Sequence, residues 1–200
     1  MNTTDQGTSL LGKIATVQPG YLSRDRVRSV WGGTHRLLQA KDVSEATGVL
    51  LDQATQFYPE RKPELYQVTR GDILVVARGQ DHRAHLVDQE LTNVLASATF
   101  YIIRPDAHRV LPGYLAWWLN LPQVQAEIDA NSRGTSIAYI SREVIETLHV
   151  PVPPSSVQQK IERVVALWRR KKLLQSEIDE KREQHIQAVC RQAVQRLKGQ

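Results

Sequence analysis

The chain has 200 residues, of which 41% are hydrophobic and 24% charged, enough for one packed core or for a core with an appendage. No apolar run approaches the roughly 18 residues of a membrane-spanning helix, and the single cysteine, Cys190, excludes an internal disulfide framework. The polar first twelve residues contain no apolar segment typical of a secretory signal, so we expect a cytoplasmic protein.

The formal charge of +5 is unevenly distributed along the chain. Residues 155–200 contain 11 Lys/Arg and 5 Asp/Glu, whereas residues 1–154 contain 15 and 16. A broad basic surface over the first 154 residues is therefore not expected, and any phosphate binding there must come from local clusters. The basic excess at the C-terminus fits either a solvated helix face or a nucleic-acid-binding segment.

The first third of the chain predicts short strands and loops. Residues 14–18 form a strand that ends at Pro19-Gly20, and a basic loop follows over 21–33. A second strand is expected at 34–40. The pattern over 45–64 is weak and interrupted by proline, which indicates a loop with helical turns.

The middle of the chain predicts two stronger strands. Arg70-Gly71-Asp72 forms a turn, and the β-branched run 73–77 is a buried strand. A polar loop at 79–83 reverses the chain. The alternating segment 96–104 is the next strand, with one face toward a core.

Two helices and a short extended segment follow. Pro112 and Pro122 are suited to the first positions of helices, the second ending near Asn131 and closed by Gly134. Trp117 and Trp118 lie on the first of these helices, where core packing is the better interpretation than base stacking. A short strand at 137–140 precedes a helical turn capped by Ser141, and 148–152 is extended up to Pro153-Pro154.

One long helix occupies the remainder of the chain. Ser155 and Ser156 precede Gln158 and Gln159 at capping-box spacing, and no helix breaker occurs before Gly199. The helix should have about 43 residues and a length of roughly 64 Å. An apolar stripe near the helical period, interrupted by the charged run 169–172, includes Val157, Ile161, Val164, Trp168, Leu174, Ile178 and Val189.

Too little chain remains to bury this stripe, so the pattern predicts a coiled coil with the helix of a second protein chain. The alternative is a helix that folds back across its own body.

Catalytic motifs are missing from the sequence. Neither G-x-x-x-x-G-K-[ST] nor G-x-G-x-x-G occurs, which removes the main indication of nucleotide hydrolysis or dinucleotide binding. His82 and His85 could share a turn, but no third or fourth ligand accompanies them. Cys190 lies within the long helix without a nearby base. We therefore expect no catalytic residue, no metal site and no cofactor in this chain.

Three segments together resemble the specificity subunit of Type I restriction-modification systems. The first is Arg70-Gly71-Asp72-Ile73-Leu74, similar to the family's G-D-I-L strand entry. The second runs from Tyr101-Ile102-Ile103-Arg104-Pro105 through Pro112-Gly113-Tyr114-Leu115 to Gly134-Thr135-Ser136. The third, Val150-Pro151-Val152-Pro153-Pro154 followed by Gln159-Lys160-Ile161, is similar to the family's I-P-L-P-P…E-Q-x-x-I junction.

The resemblance implies an α+β chain with two parts. Residues 1–154 would be a small mixed α/β target-recognition domain, and residues 155–200 a long helix for dimerisation and spacing. Specificity subunits of this family usually contain two such sets, whereas this chain has one and no internal repeat. A homodimer would then read a bipartite, palindromic site on double-stranded DNA.

The resemblance also implies the partners. The chain would be a non-catalytic subunit that holds DNA for adenine methyltransferase subunits, and in some systems for a restriction or translocase subunit. S-adenosylmethionine would bind to the methyltransferase. A scaffold in an antiphage defence complex that no longer reads sequence is the alternative, and an independent nuclease would lack its acidic residues.

DNA-reading side chains are expected on loops that can enter a groove, because base edges are recognised by paired donors and acceptors. The candidates follow the predicted strand at 73–77 and the second helix, with a further set near the N-terminus: Arg78, Gln80, His82, Arg83, His85, Arg133, Gly134, Thr135, Ser136, His35, Arg36 and Lys41.

Overall fold

Short strands and helices form a mixed α+β body from which one long helix extends. The computed structural model describes residues 7–24, 27–44, 48–60, 62–79, 81–132 and 138–198. In chain order the elements are β1 (Thr8–Leu10), α1 (Leu11–Ile14), β2 (Ala15–Pro19), β3 (His35–Leu38), β4 (Val43–Ser44), β5 (Gly48–Val49), β6 (Thr55–Phe57), β7 (Ile73–Val76), β8 (Ala84–Leu86), β9 (Val94–Ala96), β10 (Phe100–Pro105), α2 (Pro112–Leu119), α3 (Pro122–Ala130), α4 (Arg142–Glu146), β11 (His149–Pro151) and α5 (Ser155–Lys198).

Two sheets organise the body. The larger has the order β2-β10-β7-β8 with antiparallel neighbours, and the smaller has the order β6-β3-β9 with β3 and β9 parallel. Strands β1 and β11 form an antiparallel pair, as do β4 and β5. Among the described residues, no helix combines the length and the apolar character of a membrane span.

Strand β7 is buried on both faces, as its continuous apolar sequence predicts. Ile73 and Val75 pack in the cluster that includes α2 and α3, whereas Leu74 and Val76 pack in the cluster with residues of β9. Trp118 is buried in the first cluster and Trp117 packs against it, so the interpretation of both as core residues is confirmed.

The predicted strand at 96–104 is in fact two strands that belong to different sheets. The chain turns at Ser97, where the Ser97 N–H donates to the Leu38 carbonyl and the Phe100 N–H donates to the Ser97 carbonyl. The predicted loop at 45–64 contains β5 and β6, which have two and three residues. Such short strands give no detectable periodicity. Of the predicted strand at 137–140, Tyr139 forms only an isolated bridge, to Arg78.

The turn before β7 is held by the buried carboxylate of Asp72. This carboxylate accepts hydrogen bonds from the Thr69 N–H at 2.9 Å and from Nε of Arg104 at 3.2 Å. Gly71 has φ +94°, a conformation that side chains other than glycine rarely adopt. Burial raises the pKa of Asp72 above its ordinary value of 3.8, while the Thr69 N–H and the Arg104 guanidinium partly oppose this rise.

Replacing Arg104 by alanine should lower the free energy of unfolding by about 2 kcal/mol, because a buried carboxylate loses its charged partner. The substitution further raises the pKa of Asp72, so the loss that comes from this ion pair should be complete above that raised pKa and should disappear below the ordinary value. A smaller loss that does not depend on pH should remain, because Arg104 also donates to the Gln67 carbonyl at 2.6 Å. Urea unfolding at several pH values measures it. Arg142→Ala, which removes an exposed ion pair with Glu146, is the control and should change stability by less than about 0.5 kcal/mol. A total loss that is the same at every pH would contradict this account of Asp72.

Helix α5 begins at Ser155, as predicted, and its first turns attach it to the body. Gln158 is buried, and its Oε1 accepts from the Leu111 N–H at 2.8 Å. Its Nε2 donates to the Pro153 carbonyl at 2.8 Å. Glu162 accepts from the Gly113 N–H at 2.9 Å. Two side chains of α5 therefore cap the N-terminus of α2, where a carboxylate is also favoured by the helix dipole.

Replacing Gln158 by alanine should cost about 2 kcal/mol of unfolding free energy, because buried backbone groups at the start of α2 lose their partner. Equilibrium unfolding in urea measures the change. Gln159→Ala is the matched control, since Gln159 is exposed and reaches only Ser155, and it should cost less than about 0.5 kcal/mol. Equal effects of the two variants would refute the capping role of Gln158.

Candidate nucleic-acid interface

Three of the predicted DNA-reading residues, Arg78, Arg83 and His85, line one cleft at the end of β7. This cleft, which we call the loop cleft, has a volume of about 460 Å³. Its walls are Ala40, Val43, Ser44, Val76, Arg78, Gly79, Asp81, Arg83 and His85. The structure therefore brings together side chains from the loop after β7 and from β8.

Arg83 is oriented by its neighbour Asp81. The Asp81 carboxylate accepts from the Arg83 N–H at 3.1 Å and lies 3.4 Å from its Nε. Both side chains are more than half exposed, so this ion pair contributes little to stability. A guanidinium held in this way at the surface remains suited to donate to a guanine edge or a phosphate.

Arg78 continues the line of β7 into the loop. It forms an isolated antiparallel bridge with Tyr139, and the adjacent Gly79 N–H donates to the Ala138 carbonyl at 2.9 Å. The pKa of the nearby Tyr101 phenol is raised by burial, and the Arg78 guanidinium partly opposes this rise. The segment before α4 thus supports the backbone at Arg78, and the Arg78 side chain is exposed.

His82 differs from the other loop candidates because its side chain is only 1% exposed. Its Nδ1 lies 2.8 Å from the Val76 carbonyl, the distance of a hydrogen bond that closes the loop. A ring in this position stabilises the loop and presents no edge to a groove, so we leave His82 out of the proposed contact set. Within the part of the chain that the structure describes, no three His, Cys, Asp or Glu residues form a group that could hold a metal ion.

The N-terminal set is divided between two places. Lys41 is exposed on a single helical turn whose neighbours Ala40 and Val43 line the loop cleft. His35 and Arg36 lie at the other end of β3 and are half-buried. The ends of a four-residue strand are about 10 Å apart, and neither of these two residues lines the loop cleft.

Gln80 and the group Arg133, Gly134, Thr135 and Ser136 lie outside the described residues. Their expected contacts with DNA stay predictions.

A second cleft, the helix cleft, lies between the body and residues 162–173 of α5 and has a volume of about 510 Å³. Arg83 and His85 line this cleft as well, so it adjoins the loop cleft. Sequence reasoning did not place the other basic residues, Arg70, Arg169 and Arg170, in one site. Arg70 lies about 100 positions before the other two in the sequence. The charged run 169–172 and the basic excess of residues 155–200 were the signals of Arg169 and Arg170 in the sequence.

Most of the apolar stripe on α5 is exposed. Trp168 is 49% exposed, Ile178 46% and Val189 51%, and Val157, Val164 and Leu174 are also exposed. Ile161 is different, since it is partly buried against the core of the body. Lys172 Nζ lies 3.8 Å from the centroid of the Trp168 ring, a cation–π contact. Beyond its first turns the helix does not fold back over the body, and its apolar side chains remain available to a partner.

The chain is similar in sequence to one curated relative and in fold to several solved structures. The Type I restriction enzyme HindI specificity subunit of Haemophilus influenzae is 30% identical over 125 residues, which are 61% of this chain and 27% of that protein. No family model matches the chain.

The solved structures cover nearly the whole chain. The Type I restriction-modification S subunit from M. genitalium aligns with TM-score 0.62 and 13% identity over 92% of this chain and 45% of its own. The HsdS subunit from Thermoanaerobacter tengcongensis aligns with TM-score 0.58 and 18% identity over 91% of this chain and 45% of its own. A third solved chain comes from a structure that describes complex assembly and conformational transition of the type I R-M system. It aligns with TM-score 0.66 and 12% identity over 94% of this chain and 45% of its own.

This chain has the fold of half a Type I specificity subunit. The resemblance predicted from the three sequence segments is thereby confirmed, as is the α+β class with a long C-terminal helix. The chain spans about half the length of the solved subunits and about a quarter of the curated relative. The Arg70-Gly71-Asp72 turn, which carries part of the resemblance, is the turn that starts β7, and its Arg70 lines the helix cleft.

Proposed function

We propose that this chain is a sequence-recognition subunit for double-stranded DNA in a Type I-like restriction-modification complex. The observation that carries the proposal is the loop cleft, in which a body with the specificity-subunit fold presents Arg78, Arg83 and His85 together. Arginine is the side chain best suited to the two acceptors of a guanine edge. Residues 1–154 as a whole have nearly balanced charge, 15 Lys/Arg and 16 Asp/Glu, which suits a reader that uses a few local contacts.

Two copies of the chain would form the complete reader. The exposed apolar stripe of α5 needs a second helix, and residues 1–154 would supply one recognition domain. Antiparallel pairing of two α5 helices would place the two bodies at opposite ends of a spacer. Because a two-fold axis in the protein requires one in the DNA, the site should be bipartite and palindromic.

The chemistry would belong to the partners. Adenine methyltransferase subunits, with S-adenosylmethionine as methyl donor, would flip and methylate the base while this subunit positions them. A restriction or translocase subunit would join in a nuclease-containing complex. This chain would be non-catalytic and would act in the cytoplasm.

Selection from a random duplex library tests the proposal. The purified chain, with its methyltransferase subunit, is expected to enrich two half-sites with inverted symmetry at one fixed separation. Enrichment of no sequence, by a complex that still assembles, would reject sequence reading and support the scaffold alternative. Libraries selected with the methyltransferase alone provide the control.

A further inference from the structure

We propose that the helix cleft binds the phosphate backbone of the DNA, with Arg169 and Arg170 of α5 as contacts that the recognition loops do not provide. The inference rests on the proposed function and extends it from the loops to the helix. It assigns a role to the charged run 169–172, which neither dimerisation nor base reading uses.

The first argument is the charge of the cleft. Four arginines, Arg70, Arg83, Arg169 and Arg170, line it with two carboxylates, those of Asp88 and Glu162. Glu162 already accepts the Gly113 N–H at the start of α2. Arg70 and Arg83 each have an exposed carboxylate nearby, Glu90 and Asp81, so the positive charge available to an anion in this cleft comes from Arg169 and Arg170 on the helix wall.

The second argument is the state of the two helix arginines. Arg169 is half-buried and Arg170 is exposed, and neither forms an ion pair or a side-chain hydrogen bond with any other described residue. Arg70, on the opposite wall, has only a loose exposed pair with Glu90 at 3.7 Å. Such guanidinium groups are ready to bind phosphate oxygens in a bidentate way.

The third argument is continuity with the proposed reading site. Arg83 and His85 line both clefts, so a duplex whose bases meet the loop cleft can extend its backbone along the helix cleft. The volume of about 510 Å³ and the open form of this cleft leave space for a strand's phosphates. The helix would thus help to hold the duplex where it leaves the recognition body.

The test compares the salt dependence of DNA binding in full-length variants. The double variant Arg169→Ala, Arg170→Ala is titrated with a random-sequence duplex from 50 to 200 mM KCl. The slope of log K against log salt should fall in magnitude by about 0.9 for each phosphate contact removed, with a loss of roughly tenfold per contact near 0.1 M. The matched control is Arg182→Ala, Arg191→Ala, which removes equal charge from α5 outside the cleft and should leave the slope unchanged.

Further variants and measurements distinguish phosphate binding from a structural effect of the substitutions. Arg169→Lys, Arg170→Lys should retain the slope, and a loss as large as that of the alanine variant would show a structural effect and overturn the proposal. An unchanged slope in the alanine variant would also overturn it. Two further outcomes overturn it: loss of methyltransferase binding with DNA binding intact, or binding of inorganic phosphate lost in the variant while the DNA slope stays the same.

These outcomes are separate from those of the proposed function. A chain without sequence preference but with a slope that depends on Arg169 and Arg170 would refute sequence reading and leave this inference standing. If the chain selects a motif but the salt slope of the alanine variant is unchanged, sequence reading stands and this inference is refuted.

Discussion

The double variant Ile178→Glu, Val189→Glu should abolish pairing of the chain at micromolar concentration. Both side chains are about half exposed in the single chain and lie on the apolar stripe of α5. Burying each in a helix pair should contribute about 1.5–3 kcal/mol, so the two charges should weaken the dimer by at least 100-fold. Sedimentation equilibrium over a range of protein concentrations measures the change.

The control for this variant is Gln184→Glu, Gln187→Glu. It adds the same charge to the same part of α5, about 120° or more around the helix from Ile178 and Val189. We expect this control to pair like the parent chain. If it dissociates as completely as the apolar variant, net charge rather than the stripe governs association.

The structure also determines where the helix can be cut. A chain ending at Pro154 would lose Gln158 and Glu162, which cap α2, and would destabilise the body. A chain ending at Leu173 keeps both caps and removes Leu174, Ile178 and Val189. It should be a folded monomer, and persistence of a dimer in it would contradict pairing through the distal helix.

The second large effect is expected in the loop cleft. Arg78→Ala and Arg83→Ala should each weaken binding to the selected DNA site by about 1–3 kcal/mol, if each contacts a base edge or a buried phosphate. The double variant should lose 100-fold or more in affinity, measured by fluorescence anisotropy. Arg133→Ala, in the group outside the described residues, should behave similarly.

Lys13→Ala is the control for the loop cleft. Lys13 is an exposed cation on α1 and lines neither cleft. Its removal should change affinity for the selected site less than twofold. Unchanged affinity in all of the loop variants would reject the assignment of base reading to this cleft.

Elements with strong local signals were predicted correctly from the sequence. Strand β7 has a continuous β-branched run, helices α2 and α3 have proline at their first positions, and the Ser141 side chain accepts the Val144 N–H as a cap. The long helix α5 was predicted because the 44 residues from Ser155 to Lys198 contain no helix breaker. Each of these signals lies within a few residues of the structure it determines.

Features set by contacts between distant segments were not predictable in this way. Gln158 fits a capping box at its own helix, yet its side chain bonds to Leu111, 47 positions away. His82 is a polar residue in a loop that was expected to face a DNA groove, but its ring is buried and lies within hydrogen-bond distance of the Val76 carbonyl. The helix cleft depends on how α5 lies against the body, and no local pattern shows that Arg70 shares it with Arg169.

The pattern of DNA methylation in cells that express this chain with the proposed methyltransferase partner tests the account most directly. We predict that single-molecule sequencing will find methylated adenines in one motif with two half-sites, inverted repeats of each other at a fixed separation. The motif should disappear with Ile178→Glu, Val189→Glu. Methylation at a single undivided or asymmetric motif, or the same motif in that variant, would contradict a paired reader built from two copies of this chain.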